Sequence, residues 1–256
     1  MQKTALITGA ARGIGLATAR RFVSEGWRVL MLDILGELVN AEADELGAEA
    51  IVCDIADPAQ VAAAFAGMTK LDALVNNAGI ADFGPLLDTD FATWRQIMGT
   101  NLDGTFLMSQ QAAPLLAGGG AIVNITSISG LRASTMRVAY GTSKAAVEHL
   151  TLQQAVELGE IGVRVNAVAP GPVETAMAQK VHTPAIRAAY HDAICGSILQ
   201  DGFGFFRTSD IAIGNKPGFR IGPKPEIVVF NHHHIISHRQ IVLQKKDSLP
   251  DILIIK

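Results

Sequence analysis

The sequence predicts an α/β fold built on a doubly wound parallel sheet of six to seven strands, with helices on both faces. Three observations predict it. Short β-branched or Leu-rich runs alternate with longer stretches of helical period. The runs are nearly continuously apolar, so both faces are buried, and parallel neighbours then need crossover helices. A glycine-rich turn joins the first run to the first helical stretch.

The elements follow in order. TALIT at 4–8 reads as the first strand and 14–24 as the first helix. RVLML at 28–32 precedes a helix over 38–46, and AIVCD at 50–54 precedes one over 59–66. LDALVN at 71–76 leads to one long helix over 91–116, then AIVNIT at 121–126. A helix from about 139 to 158 and the strand VRVNAVA at 163–169 complete six strands.

Bulk properties narrow the function. A chain of 256 residues with 49% hydrophobic content suits a single α/β domain over 1–256. The formal charge of −3 supplies no basic field for phosphate backbones, so no nucleic-acid partner is expected. Cys53 and Cys195 make neither a disulfide framework nor a zinc site, which suits buried, inert thiols in a reducing compartment. MQKTALITG has no basic leader or cleavage site, and no apolar run reaches membrane-spanning length. Cytoplasmic localisation and no membrane partner are therefore expected.

Composition shifts near residue 195. Residues 1–195 hold 36 alanines and the other 61 residues hold one, Ala212. The tail over 196–256 carries five phenylalanines from Phe203 to Phe230 and His232, His233, His234 and His238, with weak periodicity. Consecutive histidines diverge and have no evident carboxylate partners, so exposed loop histidines are expected and no metal site.

Thr8 to Gly15 (TGAARGIG) form the turn after the first strand. Gly9, Gly13 and Gly15 permit a tight turn, and backbone N–H groups at a helix start can face a pyrophosphate. Asp33 ends the second strand, where a carboxylate accepts from adenosine ribose hydroxyls and repels a 2′-phosphate; NAD is expected over NADP. Arg12 has two readings, a 2′-phosphate contact or a solvent-facing side chain, and Asp33 outweighs it.

Tyr140 and Lys144 lie four residues apart, one face of a helix. A phenol near pKa 10 is a poor base at neutral pH, and an adjacent ammonium favours its phenolate. The bland reading is a partly exposed tyrosine beside a solvated lysine. Ser127, thirteen residues upstream at the carboxyl end of a strand, adds a hydroxyl for a substrate oxygen. A helix-capping role for Ser127 is the alternative, and Thr126 and Ser129 are rival hydroxyls.

These motifs, with Asp54 after the third strand, NNAG at 76–79, Asn101 and the Pro170–Gly171 pair, resemble the short-chain dehydrogenase/reductase family, in order and spacing over residues 1 to about 195. Three residues between Gly9 and Gly13 resemble its shorter, single-domain subclass with a Rossmann-like fold. The resemblance implies Tyr140 as acid/base, Ser127 as substrate-oxygen stabiliser, and Lys144 as tyrosine activator and nicotinamide-ribose ligand. It implies Asn101 as holder of a relay water through its backbone. It assigns Asp54 with Ile55 to the adenine side and Asn77, Ala78 and Gly79 to the adenosine ribose. Ile14 joins the phosphate turn, and Pro170, Gly171, Val173 and Thr175 meet the nicotinamide end. Turn, kink and cap roles are the alternatives for Asn77, Asn101 and Thr175.

The family's usual ending is not recognisable; 210–213 and 226–230 are faint echoes of it. We expect the residues after about Ile194 to stem from a reading-frame shift in the gene, with a divergent tail as the alternative. An Ala-rich, family-like ending in another frame of the coding DNA tests this. The leading function is NAD-dependent hydride transfer between nicotinamide and a small-molecule secondary alcohol or ketone, in a homodimer or homotetramer if the C-terminal region folds. A non-catalytic dinucleotide-binding or sensor protein is the second class, and an interaction module built on the aromatic tail the third.

Overall fold

The computed structural model describes residues 2–171, 173–174, 206–207 and 228–230. Six parallel strands form the sheet: β1 (Thr4–Thr8), β2 (Arg28–Asp33), β3 (Glu49–Val52), β4 (Ala73–Asn76), β5 (Ala121–Ile125) and β6 (Arg164–Ala169). Their order is β3-β2-β1-β4-β5-β6, so chain direction across the sheet reverses between β1 and β4. Such a switch point opens a crevice at the carboxyl ends of the strands. Both expected cysteine neighbourhoods are not equally visible: Cys53 is buried just after β3, and Cys195 lies outside the described residues.

Seven helices are described: α1 (Gly13–Ser24), α2 (Gly36–Leu46), α3 (Pro58–Phe65), α4 (Phe91–Met98), α5 (Gly104–Leu116), α6 (Ile128–Leu131) and α7 (Val138–Gly159). Alternation along β1 sends Leu6 and Ile7 to opposite faces. Ile7 joins Met31 and Val75 under Ala19 and Phe22 of α1 and Val39 of α2. Leu6 joins Leu30, Leu74 and Ile122 under Val61 of α3 and Met108, Ala112 and Leu116 of α5. Each such fully buried Leu or Ile contributes about 1.5–3 kcal/mol. Asp57 caps α3 by accepting from Ala59 and Gln60 N–H at 2.8 and 3.3 Å, with Pro58 in the first turn.

The expected single helix over 91–116 is divided. Between α4 and α5 runs a π-helical turn, Gly99–Asp103, whose extra residue keeps Asn101 pointed inward. Asn101 Oδ1 accepts from Ile80 N–H at 2.8 Å, and its Nδ2 donates to Ile80 C=O at 3.0 Å. The side chain thus mimics a strand partner for Ile80, which periodicity cannot register. β3 stops at Val52, two residues short of expectation, with one last ladder bond from Cys53 N–H to Asp33 C=O. A short β7 (Val173–Glu174) pairs with β8 (Phe206–Arg207). β9 (Val228–Phe230) lies antiparallel beside β6, falling on one of the faint echoes in the tail. The rest of the tail, its histidines and the boundary near 195 lie outside the described residues. Among the described residues, no helix is long and apolar enough to cross a membrane.

Candidate active site

A cavity of about 550 Å³ follows the carboxyl ends of the strands. One end is lined by Gly9, Arg12, Gly13, Ile14, Asp33, Asp54 and Ile55, the other by Ser127, Tyr140, Lys144, Pro170, Gly171 and Val173, with Asn77, Ala78 and Gly79 along it too. Thr175 lies outside the described residues.

The glycine turn is a fitted piece. Gly9 has φ +63, and a Cβ there would come within 2.7 Å of Ala78 Cα. Gly15 does not line the cavity; a Cβ on it would lie 2.1 Å from Gly9 O, so its bareness lets α1 close against the turn. Asn77 fastens the same turn, donating from Nδ2 to Thr8 C=O at 3.0 Å and Gly9 C=O at 3.1 Å. Asp33 is buried at the end of β2, where Oδ2 accepts from Ala11 N–H and Oδ1 from Leu35 N–H, both at 3.0 Å. Its carboxylate is aimed before any ligand arrives. Asp54 accepts from Ala56 N–H at 2.9 Å, which holds its turn open to the cavity. Arg12 precedes α1 and is exposed.

At the other end, Lys144 is buried and its Nζ donates to Ile125 C=O of β5 at 2.7 Å. Burial pulls its pKa from the usual 10.5 down to about 8. Nζ stands 5.9 Å from the centre of the Tyr140 ring, and that ring meets Phe83 edge-on at 5.6 Å. Ser127 caps α6, accepting from Ser129 N–H at 3.2 Å, so capping and a ligand-facing role coexist: an acceptor hydroxyl keeps its proton to give. Of its rivals, Thr126 donates to Val168 C=O at 3.0 Å.

Asn101 stands behind the cavity wall. It is fully buried and does not line the cavity, and its carbonyl accepts from Thr105 Oγ1 at 2.7 Å, which leaves its second lone pair for a water. Its Nδ2 donates to Ser143 Oγ at 2.9 Å, and Ser143 donates to Tyr140 C=O at 2.8 Å. Asn101 therefore reaches the tyrosine through Ser143, which sequence reasoning missed although it sits beside Lys144 in the YGTSK motif. Also missed was a buried ladder. Asn76 Nδ2 donates to Asn124 Oδ1 at 2.8 Å, and Asn124 Nδ2 donates to Thr151 and Gln154 of α7 at 2.9 and 3.0 Å. It fixes β5, which carries Ile125, to the helix that carries Tyr140 and Lys144.

Arg137 is a further residue not singled out by sequence. It is buried, lines the cavity, lays its guanidinium 4.3 Å over Phe83 and donates to Ser129 Oγ at 3.4 Å. Met136 before it has φ +64, a left-handed conformation costing a branched or bulky residue about 1–2 kcal/mol. Its signal in the sequence was spacing, three residues before Tyr140.

The whole arrangement suits an elongated ligand with an anionic middle over the glycine turn and a reacting group among Ser127, Tyr140 and Lys144. A nicotinamide dinucleotide fits on two observations: the bare Gly9 cradle and the preset Asp33 carboxylate. Among the described residues, no group of three or more His, Cys, Asp or Glu side chains could hold a metal ion.

Comparison with known proteins agrees with the geometry. Residues 3–185 match the family model for short chain dehydrogenase. Galactitol 2-dehydrogenase (L-tagatose-forming) of Cereibacter sphaeroides is 42% identical over 187 residues, 69% of this chain and 74% of that protein. Trans-4-hydroxycyclohexanecarboxylate dehydrogenase of Sinomonas cyclohexanicum is 38% identical over 192 residues, 69% of this chain and 74% of that one. The crystal structure of a short-chain type dehydrogenase/reductase from Mycobacterium marinum superposes with a TM-score of 0.71 at 34% identity, covering 81% of this chain and 84% of that one. The six-stranded parallel sheet, the cavity at its switch point and the match over residues 3–185 together establish that this chain belongs to the short-chain dehydrogenase/reductase family.

Proposed function

We propose that this protein is an NAD-dependent oxidoreductase that interconverts a small secondary alcohol and its ketone, with Tyr140 as acid/base. The observation that carries the reading is the placement of Lys144 Nζ, buried under Ile125 C=O and within 5.9 Å of the Tyr140 ring, in the cavity that also holds Ser127. Both relatives' names describe oxidation of a secondary alcohol, at carbon 2 of galactitol and at a ring carbon of a cyclohexanecarboxylate.

Bound NAD would supply hydride exchange at the nicotinamide C4. The chain's own residues do the rest. Gly9, Gly13 and the start of α1 receive the pyrophosphate, and Asp33 accepts from the adenosine ribose hydroxyls while repelling a 2′-phosphate. Ser127 Oγ donates to the substrate oxygen. Tyr140 takes the hydroxyl proton in oxidation and returns it in reduction. With a pKa of about 8, Lys144 is mostly ammonium at neutral pH, and its charge favours the phenolate that Tyr140 needs. Asn101 acts through Ser143 as a positioning residue for the Tyr140 main chain.

Following NADH absorbance across a panel of ketones and secondary alcohols tests the reading. Tyr140→Phe should lower kcat by about 10²- to 10⁴-fold and leave NADH affinity within about twofold. Unchanged turnover in that variant removes Tyr140 from its role, and failure of the intact chain to bind NADH removes the reading altogether.

A further inference from the structure

Resting on the dehydrogenase reading above, we propose that Arg137 is a specificity-determining residue that selects alcohols and ketones bearing an anionic oxygen group, a carboxylate or sulfonate, a few carbons from the reacting carbon. Four observations meet at this side chain. It is 6% exposed and lines the same cavity as Tyr140 and Ser127. Guanidinium and phenol share one neighbour, Phe83, which lies 4.3 Å from the Arg137 guanidinium and 5.6 Å from the Tyr140 ring. Two groups that share one ring as neighbour suit a short substrate with its carbinol at Tyr140 and its anion at Arg137.

The loop holding Arg137 is shaped for the purpose. Met136 takes a left-handed conformation directly before it, and Gly84 N–H donates to Met136 C=O at 3.1 Å, fastening the loop beside Phe83. Strain of this kind at a cavity wall persists when the surroundings over-determine it and it serves a site. Charge is also segregated. Among the described residues, the carboxylates lining the cavity are Asp33 at the end of β2 and Asp54 after β3, whereas a second lining cation, Arg95, stands on α4, which packs against α7. Guanidinium is planar and forked, matching carboxylate and sulfonate oxygens in pairs, and it stacks on aromatic rings as it does on Phe83.

The test uses the full chain saturated with NADH, which occupies the dinucleotide end and reports separately on the cofactor site. Butyrate, butanesulfonate and the neutral butyramide are titrated as probes in about 0.15 M salt, where exposed ion pairs are screened and buried ones much less. At least one of the two anions should bind about tenfold or more tightly than butyramide, and which one does so distinguishes the two anion chemistries. Arg137→Gln should bring all three within about twofold of each other, and Arg137→Lys should retain part of the preference. NADH affinity measured on each variant establishes that the site remains folded. Equal binding of all three probes to the wild-type protein overturns the proposal, as does a preference that survives Arg137→Gln. A chain that fails to bind NADH loses the dehydrogenase reading and this inference together, whereas NADH binding without anion preference removes this inference alone.

Discussion

The two ends of the cavity are held together by opposite means. At the glycine-turn end, the charged group is a carboxylate, Asp33, gripped by two backbone N–H groups, and the surroundings are main chain packed against main chain. At the Tyr140 end, the charged group is an ammonium, Lys144, which donates to one backbone carbonyl, and the cavity lining there is side chains: Tyr140, Phe83, Ser127 and Arg137. Two backbone N–H groups hold the Asp33 carboxylate in place, whereas Lys144 is buried at a cost. One end therefore aims its charge with main-chain donors. The other holds its charge against desolvation with a single main-chain acceptor.

That contrast can be broken by experiment, beginning with the largest expected effect. Below pH 8, Lys144 is protonated in both folded and unfolded chains, and the folded state bears the cost of burying the ammonium. Between about 8 and 10.5 the unfolded chain holds a proton that the folded one has released, so stability rises with pH. The gap between 10.5 and about 8 corresponds to about 3 kcal/mol. Urea unfolding of the wild-type protein and Lys144→Met should thus differ by an amount that moves in favour of wild type by up to about 3 kcal/mol from pH 7 to pH 10.5. A difference independent of pH would mean that the lysine is solvated.

Gly15→Ala probes the packed end. A Cβ 2.1 Å from Gly9 O forces α1 away from the turn, an overpacking cost of about 1–3 kcal/mol, with a matching loss of NADH affinity. Wild-type melting and affinity in that variant would show the turn to be pliable. Asp33→Ala should have the smallest effect on stability and move the NADP-to-NAD preference by about tenfold, roughly 1.4 kcal/mol, in favour of NADP. Measuring kcat/KM with each cofactor gives the ratio, and an unchanged ratio would take cofactor choice away from Asp33.

The same contrast explains what could be read from sequence. The glycine-turn end is local: Gly9, Ala11 and Asp33 fall within 25 residues of one another, and glycine, strand run and acidic residue each carry a signal. All six parallel strands were legible, since their apolar runs are short and punctuated. The Tyr140 end combines a near set, Ser127 to Lys144, with residues far away in the chain, Phe83 and Asn101. Tyr140, Lys144 and Ser127 were legible through spacing, but Ser143 and Asn124 look like ordinary polar residues until the fold brings Asn101 and α7 to them. The π-helical turn was hidden for a related reason. Phe91 to Leu116 has helical periodicity throughout, and the partner of Asn101 within the π-helical turn, Ile80, is 21 residues away. Arg137 went unnoticed because a lone arginine at a helix start is ordinarily solvent-facing, and no sequence pattern marks the left-handed Met136 before it.

The acceptor for Lys144 is a carbonyl of the main chain, so every amino acid at position 125 would provide it. No point mutation can delete that partner, and an alanine scan would pass over it in silence. Inheritance can adjust the lysine only by sliding the strand beneath it. The Asn76–Asn124 ladder, which clamps that strand to α7, is the place where such drift would be felt first.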